Sequence, residues 1–218
     1  MRRALVVLSI FSLLLAAPLQ LWADSAGPNF AGTGADDSSI GTIAWATPGN
    51  ITASDDTRSA AIDSAVSISH YLKGTNFSFS IAAGATVDGI TCEVEQHGTA
   101  SGAATLPDEN SIRLVNGAGT IVGDNKSTNA QLPSGPGAEA FISYGGAADD
   151  WNASLTGSDI NDIDFGCVFA VDLNGGGGAD FSTGKVDSMR ITVNFTPAGT
   201  KLLITHQTRT AGKMSWVN

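Results

Sequence analysis

Apolar residues recur at every second position in short runs, and the runs are separated by Gly, Asn, Asp and Pro. A period of two belongs to strands with one buried face, and the separators are turn formers. In "GITCEVEQ" the residues Ile90, Cys92 and Val94 share one face, and in "DFGCVFAV" so do Phe165, Cys167, Phe169 and Val171. The pattern predicts strands over 40–46, 65–72, 76–81, 87–97, 111–116, 120–124, 138–144, 165–173 and 185–195. "VNGAGTIVG" reads as a hairpin whose glycines permit positive φ in the turn. No amphipathic helix of ten or more residues follows the N-terminal apolar run. The one place for a helical turn is "ADDWNASLTGSDINDID", with Thr156 as its cap and acids early in the turn. Many short strands at this spacing predict an all-β chain, an antiparallel jelly-roll-like β-sandwich over 40–196.

The two ends of the chain depart from this pattern. Met1, Arg2 and Arg3 precede an uncharged apolar run from Ala4 to Ala17, and "LWA" offers a small residue for cleavage after Ala23. This is the layout of a secretory signal peptide over 1–23, so the expected location is secreted or at the cell surface. No later stretch is apolar enough to span a bilayer once that segment is removed. Residues 24–39 form an N-terminal segment ahead of the sandwich. Residues 197–218 form a basic, partly apolar extension that reads as strand-forming, able to pack on its own domain or on a neighbour.

Charge sharpens the division. All 21 acids and six bases lie between Asp24 and Arg190, while the segment 200–218 carries Lys201, Arg209 and Lys213 and no acid. An acidic body excludes nucleic acid as a partner, because phosphate recognition needs clustered Lys and Arg. The opposite charge of the tail makes self-association through 200–218 an electrostatically favoured contact. Cys92 and Cys167 both fall on inward positions. Export permits a disulfide between them, and two separate buried thiols fit the pattern equally well.

Candidate chemistry is sparse. None of the three histidines stands in a nucleophile-elbow or metalloprotease motif, so no catalytic residue is assigned and no cofactor beyond a possible structural calcium. For calcium, "DINDID" offers Asp159, Asn161, Asp162 and Asp164, oxygen ligands on one loop, although the EF-hand spacing is not met. Turn formation by the same residues is the competing reading. For a glycan ligand, Trp151, Tyr144 and Trp45 are the candidate aromatic platforms, and for each of them burial as a core or loop anchor competes.

The order of "YLKGTNFSFSIAAGATVDGITCEVEQ", "IVGDNKS", "YGGAADDWNASLTGSDINDIDFGCVFAV" and "VDSMRITVNFT" resembles a recurrent β-sandwich module of secreted bacterial proteins and phage particles. The resemblance spans about residues 40 to 196 and rests on fold residues. It implies a surface- or particle-associated structural role without an assigned activity. The expectation is therefore a non-enzymatic exported structural or adhesive protein of a cell surface, matrix or phage-like particle, with a carbohydrate-binding module as the alternative.

Overall fold

The computed structural model describes residues 23–198. The expected signal peptide and the segment 199–218 lie outside the described residues. Within them the chain forms eleven strands, one short α-helix and two 3-10 turns. In order the strands are β1 Asp24–Phe30, β2 Thr33–Asp37, β3 Ser59–Asp63, β4 Val66–Ile68, β5 Tyr71–Thr75, β6 Thr86–Ala100 and β7 Thr105–Val115. β8 Ile121–Val122, β9 Ala140–Gly145, the helix α1 Gly157–Asn161, β10 Gly166–Asn174 and β11 Ser182–Thr196 complete the set.

All named strand pairs are antiparallel, and they make two sheets. Sheet A runs β1-β11-β6-β9, with β3 beside β11 on the same flank as β1. Sheet B runs β2-β5-β10-β7-β8, with β4 continuing the β5 flank along β10. The period-2 residues meet between the sheets. Ile90, Cys92 and Val94 of β6 and Ile191 and Val193 of β11 pack with Ile112 and Leu114 of β7 and Cys167, Phe169 and Val171 of β10. Phe77, Phe79 and Phe165 add an aromatic cluster to this core, with ring centroids 6.1–6.4 Å apart. The chain is thus an all-β sandwich. Among the described residues no helix is long and apolar enough to cross a membrane.

Several elements differ from the sequence expectation, each for a physical reason. The sandwich begins at Asp24, because the segment expected to precede it supplies β1 and β2. "DSAGPNF" and "TGADD" lack an apolar period since these strands flank the sheets and bury little. β3 was likewise not anticipated. Residues 40–46 make isolated bridges at Ile43 and Ala46 instead of a strand. There Ile40 packs on a second cluster of Tyr71, Val115, Val168 and Ala170. The expected strand 65–72 is broken into β4 and β5, which pair with β10 in succession. In 76–81 Phe77, Phe79 and Ile81 are buried, yet Asn76 and Ser78 take positive φ and no ladder forms. Alternation set the burial there without setting the hydrogen bonds. The hairpin and the capped helical turn are present: β7 pairs with β8, and Thr156 caps α1.

Candidate functional site

The aromatic candidates are framework residues. Trp151 is 0 % exposed, and its indole N–H donates to the Ile90 carbonyl at 2.8 Å. Trp45 is buried, donates to the His70 carbonyl at 2.8 Å, and packs on Phe169. The Tyr144 hydroxyl donates to the Glu109 carboxylate and accepts from Gln96, each at 2.7 Å. Burial, then the Glu109 charge, drives the Tyr144 phenol far above its ordinary pKa. None of the three rings offers a face to solvent, so the sugar-platform expectation does not fit them.

The "DINDID" acids are divided among structural tasks. Asp159 accepts from the Thr156 N–H at 2.9 Å and the Thr156 hydroxyl at 2.6 Å, while Thr156 accepts from the Asp159 N–H at 3.2 Å. This reciprocal box closes the start of α1, and its hydrogen bonds hold the Asp159 carboxyl below the usual range. The Asn161 amide bonds both the N–H and the carbonyl of Ile81, at 2.7 and 2.6 Å. Asp162 accepts from the Asp164 N–H at 3.0 Å in a side-chain turn. Among the described residues Asp159, Asp162 and Asp164 are not among the acids that bring three ligand atoms within 4.8 Å of one another, and capping and turn bonds occupy Asp159, Asn161 and Asp162.

Cys92 on β6 and Cys167 on β10 are buried free thiols, where the sequence had also allowed a disulfide. They interact across the core, and burial, then the Cys167 hydrogen bond, raises the Cys92 thiol well above its ordinary pKa. Such thiols are poor nucleophiles.

Carboxylates do converge on the outer face of sheet A. Ile51 is fully buried and Thr52 bridges to Ser188, so the segment 51–58 is strapped across the sheet before it enters β3. β11 carries a bulge between Val186 and Ser188, and Asp187 is its extra residue. A bulge turns a side chain out of the pleat, and the Asp187 carboxylate accepts the Asp56 N–H of the strap at 3.2 Å. His97 comes from β6 and Glu139 from the chain just before β9. Glu139 accepts from Arg58 through Nε at 2.8 Å and through a second, very short contact, and from His97 Nδ1 at 2.9 Å. Arg58 also holds the Asp56 carboxylate at 2.6 Å. Burial pushes the Glu139 carboxyl up, but hydrogen bonds from Arg58 and His97 overcome it and leave the group below its ordinary pKa. Asp187 goes the other way: burial, and repulsion from Glu95 and Glu139, raise it against the Asp56 N–H and Arg58.

One oxygen each from Asp56, Glu139 and Asp187 lie within 4.8 Å of one another. Asp187 Oδ1 and His97 Nε2 are buried without a hydrogen-bond partner. Three carboxylates, Asp56, Glu139 and Asp187, thus lie about the Arg58 guanidinium, and Glu95, which accepts from the Ser188 hydroxyl at 2.8 Å, adds its charge beside Asp187. The sequence did not signal this group. Its members are tens of residues apart, and the bulge that presents Asp187 leaves no mark in the hydrophobic pattern. Their chemistry suits holding a hard cation or a proton.

Two surface cavities lie elsewhere. One, of about 520 Å³, is lined by residues of β6, β7 and neighbouring loops, Leu106 and Gln131 the largest of them. The other, of about 620 Å³, is walled by Val66 and Ile68 with Asp172 as its acid. Comparison of the chain with protein-family models, with curated proteins and with solved structures returns no match.

Proposed function

We propose that this chain is an exported, non-enzymatic structural or adhesive protein of a cell surface, extracellular matrix or phage-like particle. The observation that carries this reading is the fate of the chemically capable side chains. Glu109, Glu139, Asp36, Asp159 and both cysteines are engaged with framework neighbours, and the two cavities together contain one titratable group, Asp172. Polar groups engaged in this way orient and lock loops, which a load-bearing or displayed module needs. Four large apolar side chains remain exposed around β3, β4 and the start of β11: Ile62, Val66, Ile68 and Phe181, with Val66 79 % exposed. An apolar rim suits contact with other macromolecules.

The finer architecture we assign is a jelly roll. Counting β1, β5, β6, β7, β8, β9, β10 and β11 as eight strands, the sheets follow the orders 1-8-3-6 and 2-7-4-5. Those orders are what two interleaved Greek keys produce. The signal-peptide pattern of residues 1–23 supports export, and the basic segment 200–218 supports self-association as the mode of assembly.

Fractionation tests the reading. An epitope-tagged chain is expected in the surface, matrix or particle fraction, and deleting residues 2–23 is expected to trap it inside the cell. Recovery of the intact chain from the cytoplasm, or turnover of a glycan or ester substrate by the purified protein, overturns it.

A further inference from the structure

We propose that Asp56, Glu139 and Asp187 bind a divalent cation, preferentially calcium, which fastens the strap 51–58 to the outer face of sheet A. Three observations carry this. The first is spacing. Oxygens no more than 4.8 Å apart can all reach one ion at the calcium–oxygen distance of about 2.3–2.6 Å, whereas magnesium demands near-ideal octahedral geometry and sheds its waters reluctantly.

The second is an orphaned buried acceptor. Asp187 is 2 % exposed, its carboxyl is turned toward the strap by the Asp56 N–H, and Oδ1 meets no donor. A buried carboxylate oxygen without a partner is costly, and a bound cation removes that cost. The third is charge. Asp56, Glu139 and Asp187 lie about the guanidinium of Arg58, which already serves Glu139 and Asp56, and Glu95 repels Asp187 from beside it. The remaining negative charge calls for a further cation, and the His97 Nδ1 is already bonded to the Glu139 oxygen that Arg58 Nε also contacts.

The Asp56 side chain is 85 % exposed, so the site opens to solvent on the strap side and water completes the calcium shell. Three protein carboxylates with several waters match the weak sites of extracellular modules, with Kd of about 10⁻⁴–10⁻³ M. Calcium would meet such a site at working concentration only outside the cell, although binding itself does not depend on export.

The test is thermal unfolding and calorimetric titration of the full chain at neutral pH, after chelation and with calcium or magnesium chloride added. At ten times Kd the folded-to-unfolded ratio rises about elevenfold, a Tm increase of about 3–6 °C for a domain of this size. Magnesium is expected to give a smaller shift. Asp187→Asn, close in shape, is expected to fold and lose the shift. Asp56→Asn, on the exposed strap, is expected to lose it too and does not depend on the tolerance of the core. Asp159→Asn is expected to keep it. The proposal is overturned if wild type shows neither binding heat nor a calcium shift, or if Asp187→Asn and Asp56→Asn retain the shift. It is equally overturned if Asp187→Asn raises Tm by itself while wild type ignores calcium. That outcome assigns the orphan oxygen to a proton.

Discussion

Trp151 and Gly145 show how one contact places a whole segment. The indole lies against Gly145, whose φ is +74°, and a Cβ there meets the indole ring and the Ile90 carbonyl, with Trp151 Cε2 at 2.7 Å. Glycine is required twice at this position, for the backbone and for the ring. Trp151 itself takes φ +59°, a conformation that a bulky residue keeps only when its surroundings over-determine it. Here they do so through full burial, the Ile90 hydrogen bond and Lys126 over the ring at 5.7 Å. Trp151→Ala is expected to cost about 3–5 kcal/mol, and Gly145→Ala about 1–3 kcal/mol. The two costs are expected to be non-additive in urea unfolding, since removing the indole removes the ring clash and leaves only that with the Ile90 carbonyl and the backbone strain. Full additivity breaks the link between them. In the sequence Trp151 stood in a polar loop and Tyr144 at the end of an expected strand, and for each both the anchor and the platform readings fitted. Only the third dimension, with Ile90 on another strand as the acceptor, decides for the anchor.

At the scale of elements, legibility followed burial. β6, β10 and β11 were read with ends within a few residues because one face of each is core and keeps a strict period. β1, β2 and β3 escaped because small and polar residues serve on a flank as well as apolar ones do, and segment 76–81 was misread because alternation reports burial and not pairing. The strap carrying Asp56 is an irregular loop without any period, so the cluster it completes was invisible. By contrast α1 was readable from five residues, since its capping chemistry is local. That helix buries Ile160, and its Asn161 ties it to Ile81. Five residues of helix have no independent stability. Thr156→Ala is therefore expected to cost about 0.5–2 kcal/mol. The same substitution is expected to speed hydrogen exchange at Ile160, whose amide donates to the Thr156 carbonyl at 3.1 Å, more than at residues of β10. Equal protection in both would mean that packing of Ile160 alone holds the turn.

For the whole molecule the question is what a sandwich with open flanks can pair with. Sheet A ends on β9, which pairs with β6 and with no other strand among the described residues. Such an edge invites strand addition. The body it belongs to carries 21 acids against six bases, and the segment 200–218 of the same chain is basic and contains "LLI" and "MSWV". On the proposed reading, apolar residues of the segment would supply the means of pairing and opposite charge the attraction. Mass measurement over a range of concentrations is expected to find oligomers of the full chain. A chain ending at residue 198 is expected to be monomeric throughout. Because exposed charges beyond about 10 Å are screened at ~0.1 M salt, the association is also expected to weaken as salt is raised, to the extent that charge and not apolar contact holds it. An unchanged mass after the deletion rules out assembly through the tail and leaves the apolar rim of Ile62, Val66, Ile68 and Phe181 as the contact surface to mutate next.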